Sequence, residues 1–308
     1  MRSAIACIGA AHIDRTAHAL QDVKLGTSNP VRVDASFGGV ARNVAENLAR
    51  LHCDVALVSR IGRDDAGDQL LADLEALGVD VSGVCRSELE HTATYTALID
   101  LSGELSVGMA DMSIYDEVAP ELFGVQLAPA LLSRPIWFLD ANLPAAGLGH
   151  LLNSKPAGCL SAIDAVSVTK SQRLNGLLDR IDLLFANRDE AVALCGLPAT
   201  AQIETSELAN RLRAEGAGAV IVSMGDAGIF VASDSVYNHF DALPSEVCDV
   251  TGAGDGMVSG ILYGIAAGRR MDEAVRLGLA CASLAIESDR SVNEDLREGV
   301  VLRRAGLL

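Results

Sequence analysis

The chain has 308 residues, half of them apolar, which is enough to bury a large core and excludes a chain that is disordered overall. Its 41 acidic and 24 basic residues give a net charge of −17, so neither a nucleic acid nor an anionic membrane surface is expected as a partner. The seven cysteines form no close pair, which excludes a zinc or disulfide motif and indicates small buried side chains in a reducing cytoplasm.

Strand and helix patterns alternate from the start of the chain, with one irregular stretch. Residues 4–10 are apolar and predict a buried strand rather than a signal peptide. Residues 15–36 lack a helical period and predict short strands and loops. Two glycines at 38–39 then open a helix whose apolar residues recur at helical spacing over 41–51. The elements that follow are a strand at 54–60 and a helix at 64–77.

Residues 92–110 interrupt the alternation a second time. They carry two β-rich segments on either side of Ser102-Gly103, a pattern typical of a hairpin. The chain then returns to strand and helix patterns, with three short strands within 218–240. The other predicted elements are strands at 136–141, 159–164 and 182–186 with helices between them, and helices at 204–215, 253–267 and 271–287.

This alternation predicts an α/β fold with a mainly parallel central sheet and helices on both faces. The two β-rich interruptions, 15–36 and 92–110, together predict a small second sheet that projects from the main body. No internal repeat, low-complexity segment or Pro-rich linker divides the chain, so residues 1–308 are expected to form a single domain.

The strongest chemical signal is the run Asp249-Val-Thr-Gly-Ala-Gly-Asp255, which precedes a long apolar helix. Residues Thr251 to Gly254 lie where a loop turns into a helix N-terminus, and the backbone N–H groups there can hold the negative charge of a phosphoryl group. The carboxylate of Asp255 can accept the proton of an attacking hydroxyl. Taken alone, the motif also fits a glycine-rich helix start with an acidic residue in its first turn.

Two signals in the first fifty residues fit a polyol site. Asp14 is predicted at the end of the first strand, where ligands collect in open α/β sheets, and a carboxylate can accept two hydroxyl hydrogen bonds. Gly39 lets the backbone approach a ligand closely, and Asn43 can donate to hydroxyls and accept from them. The alternatives are a turn aspartate and a helix that simply packs on a strand.

Two signals in the second half fit a nucleotide site. Asn187 and Glu190 stand three residues apart at a helix start and face the same side, where oxygen ligands could hold a hydrated Mg²⁺ through water. The alternative is an N-cap Asn with a capping-box Glu. Ser223, Gly225 and Gly228 fit either a loop against a nucleotide phosphate or a tight β-turn.

In their order and spacing these motifs resemble the ribokinase-like (pfkB) family of carbohydrate and nucleoside kinases over nearly the whole chain. The resemblance implies a ribokinase-like three-layer α/β sandwich with a small β-sheet lid, and a reaction that uses ATP with Mg²⁺. It also implies that Asp255 is the catalytic base and that K⁺ binds at Asp249. The other implied positions are the anion hole at Gly252, Ala253 and Gly254, nucleotide contacts at Asn187, Ser223, Gly225, Gly228, Thr251, Gly252 and Gly254, magnesium contacts through water at Asn187 and Glu190, and sugar contacts at Asp14, Gly39 and Asn43.

Finer features resemble the pseudouridine kinase branch of the family. The segment GGVARNVAEN at 38–47 is closer to that branch than to ribokinase, whose loop usually has GGKGAN. The resemblance places Met112 and Asn142 at the substrate and Lys170 near the nucleotide, and it implies phosphorylation of the 5′-hydroxyl of pseudouridine. His12 departs from the family, which usually has Asn two residues before the sugar-binding Asp.

Other functions stay open on the sequence alone. A ribokinase or another sugar or nucleoside kinase fits the same motifs, and a non-catalytic sugar or nucleoside sensor on the kinase fold would need no base at Asp255. An oxidoreductase is disfavoured because no Gly-x-Gly-x-x-Gly motif follows the first strand. The expected setting is the cytoplasm, and the exposed strand edges of a lid favour a homodimer formed through it.

Overall fold

The computed structural model describes residues 4–116, 131 and 133–308, and its strands form two sheets. The strands of the larger sheet are β1 (Ala4–Ile8), β4 (Asp54–Ile61), β5 (Asp80–Arg86), β8 (Ile136–Asp140), β9 (Leu160–Asp164), β10 (Leu183–Asn187), β11 (Ala219–Ser223), β12 (Ile229–Ala232) and β13 (Tyr237–Phe240). Their order is β13-β12-β11-β10-β9-β8-β1-β4-β5. Neighbouring strands are parallel except for β12 and β13, which run antiparallel at one edge. The mainly parallel central sheet is thereby confirmed.

Helices cover both faces of this sheet. In the described part of the chain they are α1 (Val40–Arg50), α2 (Asp65–Ala76), α3 (Ala145–Ser154), α4 (Val168–Ser171), α5 (Arg188–Leu194), α6 (Thr205–Ala214), α7 (Ala253–Ala266), α8 (Met271–Ile286) and α9 (Glu298–Arg304). Alternate strand residues point to opposite faces. Ile5 and Cys7 therefore join the core beneath α1, α7 and α8, whereas Ala6 and Ile8 join the core beneath α3, α5 and α6. None of the helices described is long and apolar enough to cross a membrane.

The two segments predicted to form a second sheet do form one. It contains β2 (His12–Ala19), β3 (Val31–Gly38), β6 (Thr94–Ile99) and β7 (Leu105–Asp111), in the order β3-β2-β6-β7. β6 and β7 pair antiparallel on either side of the predicted turn, in which Gly103 has φ of +86°. A positive φ of this size favours glycine, which explains why the hairpin could be predicted from that residue.

The predicted position of Asp14 is wrong. β1 ends at Ile8, and Asp14 is the third residue of β2 in the small sheet. The chain leaves the main sheet at Gly9, where an added Cβ would lie 2.3 Å from the carboxyl group of Asp140. Because β2 starts only four residues after β1 ends, Asp14 still lies beside the carboxyl end of the main sheet.

Other local predictions also differ from the structure. β5 was not predicted, and it forms the edge of the main sheet beside β4. The helix predicted between β9 and β10 is the four-residue α4 followed by two 3₁₀ turns. The expectation of buried cysteines is met only in part. Cys7, Cys159 and Cys281 are buried, whereas Cys53, Cys85 and Cys195 are half-buried and Cys248, in the loop before α7, is exposed.

Candidate active site

Polar residues collect where the parallel strands of the main sheet end. Asp140 at the end of β8 pairs with Asp164 at the end of β9, and Asn187 at the end of β10 pairs with Ser223 at the end of β11. Paired residues of parallel strands lie side by side, so these four side chains line one edge of the sheet. In open α/β sheets this edge is where ligands bind.

The helix α7 begins at this edge with an open N-terminus. Its N-cap, Gly252, has φ of +80°, and a Cβ there would lie 1.9 Å from the carbonyl oxygen of Ser291, so no other residue fits. Within the described residues, the N–H groups of Gly252, Gly254 and Asp255 form no hydrogen bond, while that of Ala253 makes a long one, 3.3 Å, to a loop carbonyl. These donors and the helix dipole together can hold an anion.

Asp255, in the first turn of α7, contacts the early part of the chain. The Asn43 side chain donates a hydrogen bond of 2.7 Å from Nδ2 to Oδ2 of Asp255. Burial raises the pKa of Asp255 to about 7; the Asn43 hydrogen bond and the Arg42 charge lower it, and the carboxylates of Asp140 and Asp14 raise it. A carboxylate with a pKa close to neutrality is well matched to taking a proton from a hydroxyl.

The predicted polyol residues lie together. Asp14 contacts His12, whose Nε2 is 3.0 Å from Oδ1 of Asp14, and a Cβ added to Gly38 would lie 2.1 Å from the Asp14 carboxyl group. Gly39 caps α1 with φ of +101°, and its carbonyl accepts the N–H of Asn43 at 2.8 Å. The Gly-Gly pair thus lets the start of α1 come close to the loop after β1 and to Asp14.

Two further predicted residues, Asn142 and Lys170, contact each other. Lys170 donates a hydrogen bond of 2.5 Å from Nζ to Oδ1 of Asn142, and burial lowers the pKa of Lys170. Lys170, predicted near the nucleotide, therefore lies beside a residue predicted to face the substrate. Met112 precedes the 3₁₀ turn that carries Tyr115, whose hydroxyl donates to the carbonyl of Ala11 at 2.6 Å.

Asp140 connects three parts of the site, a role that was not predicted for it. Its fully buried carboxylate accepts the N–H groups of Ala10, Ala41 and Asn142, each at 2.9 Å. It thereby ties the loop after β1 and the start of α1 to the end of β8. A carboxylate at the end of a predicted buried strand was the one local signal available for it.

Asn187 and Glu190 form the capping box that was the alternative interpretation. The Asn187 side chain accepts the N–H of Glu190, and both carboxylate oxygens of Glu190 accept from Asn187 at 2.8 Å. Burial raises the pKa of Glu190. Burial also raises the pKa of Asp164 well above its usual range, and the neighbouring carboxylates of Glu190, Asp255 and Asp140 raise it further. Carboxyl groups are therefore crowded here, and a hydrated divalent cation bound beside them would favour their ionised forms.

The loop after β11 is a tight turn, as the second interpretation of it predicted. Met224 donates its N–H to the carbonyl of Gly228 at 2.9 Å. Gly228 has φ of +86°, and a Cβ there would meet a backbone oxygen at 2.1 Å, whereas Gly225, at φ of +62°, faces open space. Closer to α7, Asp249 accepts the N–H of Thr251 at 2.8 Å through Oδ1.

Comparison with known proteins gives consistent matches along the chain. Residues 2–296 match the pfkB family of carbohydrate kinases. A pseudouridine kinase of Escherichia coli (strain K12) is 29% identical, over 95% of this chain and 93% of the relative. A carbohydrate kinase from Agrobacterium tumefaciens superposes with a TM-score of 0.84 at 31% identity, over 100% of this chain and 98% of that one. The ribokinase of Arabidopsis thaliana, complexed with ribose and ATP, shares the fold with a TM-score of 0.83 at 20% identity, over 99% of both chains.

Proposed function

The chain belongs to the pfkB family of carbohydrate kinases, and from that membership we propose that it transfers the γ-phosphoryl group of ATP to the 5′-hydroxyl of pseudouridine. It is a phosphotransferase with an alcohol group as acceptor. The observation that carries the proposal is the hydrogen bond between Asn43 and Asp255. It joins the polyol residues of the first fifty positions to the helix whose open N-terminus can receive a phosphate.

Asp255 is the general base of the proposed reaction. Asn43 occupies Oδ2, which leaves Oδ1 for the acceptor hydroxyl. The carboxylate takes the hydroxyl proton while the oxygen attacks the γ-phosphorus in line, and the bond from phosphorus to the bridging oxygen of ADP breaks. Since the pKa of Asp255 is about 7, both its charged and its neutral form are accessible at neutral pH.

The start of α7 stabilises the transferred group. The N–H groups of Gly252, Gly254 and Asp255 have no partner among the residues described, and they would donate to the equatorial phosphoryl oxygens. No atom lies within 4 Å of a Cβ added to Gly254, so this side of the turn has room for the group. Preformed donors of this kind need no rearrangement as charge develops.

The nucleotide would bind beside the carboxyl ends of β10 and β11. Ser223, Gly225 and Gly228 would border the nucleotide. Asn187 and Glu190 would hold hydrated Mg²⁺ together with Asp164, whose carboxyl group would ionise beside a bound cation. Bound Mg²⁺ would draw charge from the triphosphate oxygens. Binding of K⁺ at the exposed Asp249, next to Thr251, is part of the same proposal.

The choice of pseudouridine rests on two supports. One is the similarity to the Escherichia coli pseudouridine kinase along most of both chains. The other is Asn142, whose Oδ1 is occupied by Lys170, so that its N–H groups remain to donate to a carbonyl oxygen of the base. Free ribose has no such carbonyl in its ring form, so this contact favours a pyrimidine nucleoside over a free sugar, and the similarity alone favours pseudouridine over uridine. Met112 would lie on the same side of the acceptor.

The small sheet would act as a lid and as a dimer surface. Its face opposite Asp14 carries an apolar row across all four strands, Val33, Ala17, Leu98 and Val107 in register. Val33 is 53% exposed.

We propose that a second copy of this chain covers this row. Light scattering should then give twice the 32.1 kDa chain mass, and Val33→Asp should give the monomer; a wild-type monomer would contradict the dimer.

A panel of phosphate acceptors tests the proposed function. Purified protein is incubated with ATP, Mg²⁺ and pseudouridine, uridine, ribose or fructose in separate reactions, and phosphate esters are identified by mass spectrometry. Pseudouridine 5′-phosphate should form fastest, and Asp255→Asn should abolish most of it. Rapid turnover of ribose with none of pseudouridine would reject the substrate, and no product from any acceptor would reject the kinase activity.

A further inference from the structure

Arg42 has no part in the reaction described above, yet its side chain lies next to the proposed base. The side chain is 6% exposed, although it belongs to a helix surface and carries a charge. Nη2 donates to the carbonyl of Phe37 in β3 at 2.6 Å and also to Oδ1 of Asn43, and Nη1 donates to Glu46 at 2.5 Å. A guanidinium buried with so many partners has a defined position, which a solvated surface arginine lacks.

The contact with Arg42 decides which way the Asn43 amide points. A guanidinium has only donors, so the atom that faces it must be the amide oxygen. The amide nitrogen then faces Asp255, to which it donates at 2.7 Å. Were the amide reversed, its oxygen would face the carboxylate, and two acceptors would repel each other. Arg42 therefore sets the hydrogen bond that Asp255 receives.

The charge of Arg42 also acts on Asp255. The other titratable groups that interact with Asp255 are carboxyl groups, namely Asp14 from β2, Asp140 from β8 and Asp164 from β9. Arg42 opposes them from α1 and lowers the pKa of Asp255, which burial raises. Glu46 offsets part of this positive charge but shares its carboxylate with Arg50, whose Nη2 is 2.7 Å from it.

We propose that Arg42 is a positioning residue for phosphoryl transfer: it orients the Asn43 amide toward Asp255 and holds a positive charge close to that carboxylate. The inference rests on the proposed role of Asp255 as the base. It does not depend on which alcohol accepts the phosphate. The Arg42 guanidinium also connects α1 to the small sheet, because it donates a hydrogen bond to the carbonyl of Phe37 in β3.

The first test titrates Asp255 in the full, unliganded chain, which needs no substrate. Protein labelled with ¹³C at aspartate carboxyls is titrated by NMR, and the Asp255 signal is assigned with Asp255→Asn. Arg42→Gln keeps a side-chain donor but loses the charge, so the titration midpoint of Asp255 should rise by about one pH unit. Arg42→Lys keeps the charge and should shift this midpoint by less than about half a pH unit. The matched control is Arg50→Gln, on the same helix and the same Glu46, and it should leave the midpoint in place.

A second readout needs no variant. In the wild-type protein the side-chain ¹⁵N signals of Arg42 and Asn43 should titrate with the same midpoint as the Asp255 carboxyl. An unchanged midpoint in folded Arg42→Gln would overturn the inference. If that variant does not fold, Arg42 and Asn43 signals that ignore the titration of Asp255 would overturn it.

Kinetics separate positioning from a purely structural role. With any acceptor that the wild type uses, Arg42→Gln should lose about five-fold in kcat/KM at pH 7 and recover nearly all of it at about pH 9, where the carboxylate is ionised in both proteins. A loss of the same size at both pH values would contradict the role of the charge. Failure of pseudouridine in the acceptor panel would leave the NMR result standing, so the two proposals fail separately.

Discussion

Replacing Asp255 with Asn should make the protein more stable and almost inactive. The folded protein raises the pKa of this carboxyl from 3.8 to about 7. Each pKa unit corresponds to about 1.4 kcal/mol, so the ionised carboxylate costs the fold up to about 4 kcal/mol, and the partial exposure of the side chain reduces this to about 2–4 kcal/mol. Asparagine has the same shape, carries no charge and still accepts the hydrogen bond from Asn43.

The stability of the wild-type fold should fall as the pH rises through the titration of Asp255. Because the folded pKa lies above the unfolded one, the folded protein binds the proton more tightly, and the stability this provides is lost as the pH rises through 4 to 7. The gain from Asp255→Asn should therefore be largest above about pH 7 and shrink steadily toward about pH 4. Turnover should fall by about 10²–10⁴-fold, since the base is gone.

Two assays on the same preparations check this prediction. Urea unfolding followed by circular dichroism, at about pH 5 and about pH 8.5, gives the stability difference between variant and wild type at each pH. A coupled assay of ADP release gives turnover. Near-normal turnover would remove Asp255 from the chemistry. A variant less stable than the wild type at about pH 8.5 would show that the carboxylate is not destabilised by burial.

Four further substitutions test other parts of the site. Gly252→Ala forces a residue at φ of +80° against a backbone oxygen and should cost about 2–4 kcal/mol in thermal unfolding, whereas Gly254→Ala, which meets no atom, should not lower stability. Asp140→Asn replaces an acceptor of three N–H groups and should cost about 2–4 kcal/mol by urea unfolding; an unchanged midpoint would refute its role. Lys170→Met should raise the KM of the acceptor about ten-fold through its contact with Asn142, and a rise in the KM of ATP alone would place Lys170 at the nucleotide as the sequence predicted.

Local patterns were sufficient for the elements with a strong period or a demanding glycine. The apolar spacing over 41–51 predicted α1, whose residues Val44 and Leu48 are fully buried. The TGAG run predicted the start of α7, because only glycine tolerates the conformation of Gly252. The small sheet was predictable because its segments break the alternation of strand and helix. β5 was missed because its apolar residues, Val81, Val84 and Cys85, do not alternate with polar ones as strand residues do.

The residues that were missed act over long sequence separations. Asp140 accepts from Ala10, 130 positions earlier in the chain, and no local pattern can show such a contact. Arg42 looks like a solvent-facing residue of an amphipathic helix, and its burial becomes evident only when β3 and α7 are placed around it. Val166 adopts φ of +66°, which a β-branched residue rarely does, and α4 begins only two residues later, at Val168.

The proposed reaction is tested most directly by a crystal structure of the protein with pseudouridine and a non-hydrolysable ATP analogue. The 5′-oxygen should lie about 2.6–3.2 Å from Oδ1 of Asp255, and the N–H groups at the start of α7 should donate to the γ-phosphate. A nucleoside and a triphosphate bound in separate clefts, with neither touching Asp255, would contradict it.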